Sequence, residues 1–218
     1  MATIASQVPK NLSFRFRVPC RKVSGAASAK TVLDESYRLP NFSELDAMEQ
    51  FADVRMGWGN TGLVVAVKVA GKSKSLWCRE SAILESDGLQ VWVDTRDTHN
   101  VHRATKFCHW FIAMPAGGGA KKEKPIGNML KINRSREDSP TLNRQKVSVE
   151  SKVTKGGYEM TLFIPSKALN GWELEEQRNF GFNFAVIDSE KGWQTLAIGP
   201  ELPISEDPSL WQTIQLVD

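Results

Sequence analysis

The stretch Asp87 to Phe111, DGLQVWVDTRDTHNVHRATKFCHWF, reads as two β-strands joined by a polar loop. Leu89, Val91 and Val93 alternate with Gln90, Trp92 and Asp94, the period-two pattern of a strand that buries one face and turns the other outward. A second strand, from Ala104 to Met114, repeats the alternation less cleanly and would set Lys106, Cys108 and Trp110 on one face. The stretch also holds two of the seven tryptophans and all three histidines of the chain.

Outward from this pair the same grammar continues. FRFRV (14–18) alternates as a first strand, and the residues before it, 1–13, read as an arm. SELDAMEQF, opened by Ser43 as an N-cap, reads as a turn of helix. Ala52–Trp58 and Gly62–Ala70 flank Gly59-Asn60-Thr61, a hairpin signal, and Lys146–Thr154 and Tyr158–Ile164 flank Lys155-Gly156-Gly157 in the same way. Asn179–Asp188 reads as a buried strand, followed by Trp193–Ile198 and Trp211–Val217. Residues 116–145, opened by a triple glycine, read as a long basic loop insertion. About ten short strands without a long amphipathic helix between them predict an all-β antiparallel sandwich, one domain over residues 1–218.

Composition narrows the class. Hydrophobic residues at 41% and charged residues at 24% match soluble globular proteins, and no window approaches the roughly 18 apolar residues of a membrane span. The N-terminus lacks the apolar run of a signal peptide, so the expected location is cytoplasmic. Three cysteines without a CxxC pair predict free thiols. Net charge is only +3, and the ten Lys or Arg against four acids in 121–155 sit in a Gly/Pro/Ser-punctuated segment. A solvated loop explains that segment better than a phosphate-binding surface, so neither nucleic acid nor membrane is an expected partner.

Several stretches, in order, resemble the family 9 carbohydrate-binding module of the DOMON-like sandwich group. They are the strand 63–69, DGLQVWVD (87–94), YEMTLFIP (158–165) and GFNFAVID (181–188). The resemblance implies a non-catalytic module that binds a sugar through two tryptophans and strand polar groups. At the family's contact positions this chain has Leu84, Gln90, Cys108 and Ala185, and the second tryptophan would fall near Ser205 or Glu206. The candidate ligand-binding set is therefore Gln90, Trp92, Lys106 and Trp110, with Asn183 from the later strand, aromatic faces for C–H groups beside polar edges for hydroxyls. A competing expectation has the long 116–145 loop cover both tryptophans, leaving a structural or protein-interaction domain that has lost sugar binding.

Three metal or haem readings stand beside these. Asp94, Asp97 and Asn100 place oxygen ligands at every third position of a loop, and the family resemblance adds structural calcium as the cofactor to test. His99, His102, Cys108 and His109 carry zinc-type chemistry, but Cys108 and His109 are adjacent in a strand and point to opposite faces. The DOMON-like resemblance also raises haem, with Met56, Met160 and His109 as ligands. No nucleophile elbow, HExxH or P-loop motif is present, so no enzyme is expected.

Overall fold

The computed structural model describes residues 10–46, 49–142 and 147–218. The described residues form eleven strands: β1 (Arg17–Lys22), β2 (Ala52–Gly59), β3 (Gly62–Val69), β4 (Gly88–Asp94), β5 (Cys108–Gly118), β6 (Lys124–Leu130), β7 (Ser148–Thr154), β8 (Gly157–Pro165), β9 (Asn179–Asp188), β10 (Gly192–Thr195) and β11 (Gln212–Val217). Their connections contain only short 3₁₀ turns among the described residues, and no described helix is long and apolar enough to cross a membrane. Residues 1–9 of the expected arm lie outside the described residues, while Lys10–Ser13 forms a 3₁₀ turn.

The strands join in the order β6-β5-β4-β9-β11-β1-β2-β3-β8-β7, with β10 added to β9. The all-β expectation holds, with one difference in detail. β1 runs parallel to both neighbours, Arg17 to Arg21 opposite Thr213 to Val217 and Arg21-Lys22 opposite Gly57-Trp58, which makes a mixed sheet. The sheet curls until its two end strands meet. A Cβ at Gly127 of β6 would lie 2.7 Å from Val147 and Val149, and the hydroxyl of Ser151 on β7 donates to Pro115 O at 2.7 Å.

Both hairpin signals close as two-residue turns, Asn60-Thr61 between Gly59 and Gly62 and Lys155-Gly156 between Thr154 and Gly157. Gly62 is required where it stands: its φ is +144°, and a Cβ there would meet Ile164 O at 2.0 Å. The basic segment is not loop throughout, because β5 runs on to Gly118 past a register shift after Met114 and pairs with β6. β5 also begins at Cys108, so Lys106 precedes the strand.

Alternation sorts the side chains into layers. Leu89, Val91, Val93, Phe111 and Ala113 enter the main core with Trp58, Tyr158, Phe182 and Phe184. On the other side of β4, β5 and β9, Trp92, Cys108, Trp110 and Ile112 build a second core. A third, smaller core of Val23, Ala27, Leu33 and Val64 covers part of β2 and β3. Burying these aromatic side chains away from water is the dominant favourable term in the fold.

Candidate functional site

The register brings three of the five proposed ligand residues into one row. Trp92 of β4 stands opposite Trp110 of β5 on one side and Asn183 of β9 on the other. The two indoles stack with centroids 5.8 Å apart at 21°. Gln90 lies one pair further along the same face, its amide donating to Leu84 O at 3.1 Å. Lys106 stands apart in the preceding loop, near Glu137 and over the ring of Phe107.

This row is covered. Trp92 is 0% exposed and Trp110 8%, and Ala197, Ile198 and Ile204 share their core with Trp211. The cover is thus the 196–211 connection, pinned by Trp211 Nε1 donating to Ile204 O at 2.7 Å and by Phe42 N donating to Leu196 O at 3.0 Å. Of the basic segment expected to form the lid, Ile132 is the buried contribution, with Leu130 against it. Under the cover the indole N–H groups of Trp92 and Trp110 and Nδ2 of Asn183 have no hydrogen-bond partner. Desolvated donors of this kind each cost on the order of 1–3 kcal/mol. Leu84 is exposed while Cys108 and Ala185 are buried, and Glu206, which with Ser205 marks where the resemblance would put the second tryptophan, borders an open space.

That space is a cleft of about 490 Å³ lined by His102, Arg103, Arg134, Pro203, Glu206 and Asp207. It is assembled from three connections: the loop after β4, the segment after β6 and the 196–211 cover. His102 Nδ1 lies 3.2 Å from Asp207 Oδ2 and 3.1 Å from Ser209 Oγ. Arg103 Nε donates to Arg134 O at 2.9 Å, and Asn133 donates to Glu206 Oε1 at 2.7 Å. His102 appeared in the sequence only as a metal candidate, and Arg103, Arg134 and Asp207 carried no signal beyond charge in a loop.

The proposed metal ligands serve other ends. Asp94 folds its own loop, accepting from Arg96 N at 3.0 Å, Thr98 N at 2.7 Å and the Thr98 hydroxyl at 2.6 Å. Asp97, at φ +52°, accepts from Thr213 and faces His99 Nε2 at 2.9 Å, and Asn100 is exposed. Asp94 and Asp97 are thus both engaged by donors of the protein itself. Parity separates the zinc candidates as the alternation requires: Cys108 enters the second core, His109 stacks along Phe111, and His102 is exposed. Burial pushes the Cys108 thiol up to about 12. Met56 and Met160 lie in the main core. Among the described residues no group of three or more His, Cys, Asp or Glu side chains is placed to hold a metal ion.

A second charged cluster lies at the opposite end of β4. Lys72 Nζ sits 2.5 Å from Asp188 Oδ2 and 3.1 Å from Asp87 Oδ2, all three side chains withdrawn from solvent. Asp87 also accepts from Trp77 N and Ser189 N. The arrangement ties three connections together.

No family model matches the chain, and no curated protein matches it in sequence. Solved structures do match in fold. A family 9 carbohydrate-binding module from Caldicellulosiruptor kristjanssonii in complex with cellotriose superposes with a TM-score of 0.60 at 15% identity, over 92% of this chain and 93% of that one. One in complex with glucose gives 0.61 at 16% identity, over 93% and 96%. The chain therefore has the fold of the family 9 carbohydrate-binding modules, a likeness of architecture over nearly its whole length.

Proposed function

We propose that this protein is a non-catalytic carbohydrate-binding module whose ligand, a sugar or similar polyhydroxylated molecule, is held in the His102–Arg103–Arg134–Glu206–Asp207 cleft. The cleft itself carries the reading. It is an open space of about 490 Å³ bordered by guanidinium, imidazole and carboxylate groups, the donors and acceptors that recognise hydroxyls by directed hydrogen bonds. Its supports include a fold shared with modules solved in complex with glucose and cellotriose. The buried Trp92–Trp110 row then acts as the floor under the cover and not as an exposed platform.

Calorimetric titration with glucose, cellotriose and other oligosaccharides tests this, run beside Glu206→Gln and Arg103→Gln. Saturable heat that the variants weaken supports the reading. Folded protein without heat from any sugar sinks it. One observation favours a second reading: Trp92 at 0% exposure is unavailable for stacking a sugar ring. It fits a structural or protein-interaction sandwich, which the same null titration would leave standing.

A further inference from the structure

The cleft is asymmetric in what it has left to offer. Its acceptors are largely engaged. Asp207 Oδ1 accepts from Ser209 N at 2.9 Å and Oδ2 faces His102, while Glu206 Oε1 accepts from Asn133 and Oε2 lies 3.9 Å from Arg134. Its donors are not. Arg103 spends Nε on Arg134 O and one Nη on Ser135 O, at 2.9 and 3.4 Å, which anchors the guanidinium plane and leaves the other Nη unused. Arg134 is 79% exposed and holds Glu206 only loosely. His102, 78% exposed, uses Nδ1 and leaves Nε2 open.

Backbone geometry reinforces the pairing. Arg134 has φ +55°, a left-handed conformation that non-glycine residues adopt only where the surroundings impose it. In that conformation its carbonyl meets Arg103 while its own guanidinium reaches the same cleft. Two guanidiniums are thus joined side chain to backbone on one wall, and a guanidinium fork matches the two oxygens of an acid group.

We infer that the cleft selects acidic sugars, the Arg103–Arg134 pair reading a carboxylate or sulfate ester on the carbohydrate. The inference rests on the carbohydrate reading above and narrows it. Neutral sugars offer the open donors only weakly accepting hydroxyls; an acid group offers the charge-assisted partner that Arg103 lacks and that Arg134 has only at 3.9 Å.

The test is calorimetric titration of the full chain with cellotriose, with tri-galacturonic acid, with a sulfated trisaccharide and with sodium sulfate, at low and moderate salt. One acidic trisaccharide should bind about ten-fold or more tighter than cellotriose, the size of one charge-assisted hydrogen bond. That preference should shrink with salt and disappear in Arg103→Gln and Arg134→Gln, whose exposed side chains leave folding intact by circular dichroism. Equal affinity for neutral and acidic sugars, or a preference that survives both substitutions together, overturns the inference and leaves the carbohydrate reading in place. Sodium sulfate binding as tightly as the acidic sugars also overturns it, since the site would then take a free anion. Absence of binding by every sugar removes the carbohydrate reading itself.

Discussion

The Nε2 atom of His109 accepts a hydrogen bond from the backbone N–H of Asn170 at 2.9 Å, joining β5 to the connection between β8 and β9. Its Nδ1 faces Val93 O at 3.4 Å. Together the two contacts specify the neutral ring with its proton on Nδ1.

Burial pushes the pKa of His109 down from 6.5 to about 4. An unfolded chain takes up this proton near pH 6.5, whereas the folded one waits until about 4. Between those values the unfolded state binds more protons, so stability is full above the window and falls as pH drops through it, by about 3 kcal/mol in all. Urea unfolding at intervals from pH 7.5 to 4 should show this slope, and His109→Gln should flatten it. Glu190, drawn down to about 2 by the Ser73 hydroxyl and the Lys74 and Ser73 amides, contributes stability above pH 4.5 that is lost toward 2, largely below the histidine window. An unchanged slope in His109→Gln would contradict the assignment.

Lys72 is the second titration to probe. Burial opposes its charge, but hydrogen bonds to Asp188 and Asp87 outweigh that and hold its pKa above the ordinary lysine value. Lys72→Met strands two buried carboxylates and should cost about 3–5 kcal/mol. Adding Asp188→Asn should restore part of the loss by removing one of them. Guanidinium unfolding measures both, and a loss below about 1 kcal/mol in the single variant would mean the pair is solvated.

Trp92→Ala should cost about 3–5 kcal/mol, the range for emptying a fully buried aromatic site, while Trp92→Phe should cost less. Tryptophan emission of the native protein should be blue-shifted by Trp58, Trp92 and Trp211, all nearly inaccessible. A fully stable Trp92→Ala protein would show that the 196–211 connection does not close over this residue.

Gly62→Ala should cost at least about 2 kcal/mol, since the new Cβ collides with Ile164 O in a conformation alanine disfavours. Gly156→Ala, in the other hairpin turn with nothing within 4 Å, should stay within about 0.5 kcal/mol of wild type. Thermal melts of the two side by side separate steric collision from loss of flexibility.

Alternation made much of this legible. Leu89, Val91 and Val93 against Gln90, Trp92 and Asp94 named the two faces of β4 correctly, and parity alone placed Cys108 and His109 on opposite sides. Period-two patterns say which way a side chain points, however, and not what lies above it. The cover over Trp92 comes from Ala197 and Ile198, which the sequence assigns to the end of a strand although β10 stops at Thr195, and from Ile204 beyond them. β6 escaped because KPIGNML lacks alternation and pairs with a strand that continues through Pro115 and Gly117. The cleft escaped for a different reason: Arg103, Arg134 and Glu206 sit on three separate connections, and long-range closure leaves no local mark in sequence.

The parallel seam has a consequence for how the chain comes into being. β1 is made first among the strands but makes its longer pairing with β11, at the far end of the fold, Arg17 to Arg21 beside Thr213 to Val217, and β9 shares that same strand. During synthesis, until Val217 emerges, two strand edges wait unpaired across nearly the whole chain, a topology that folds slowly and exposes sticky intermediates. Truncating the final turn and strand should therefore not yield a weakened domain but a chain that never closes, dependent on chaperones for as long as its two ends remain apart.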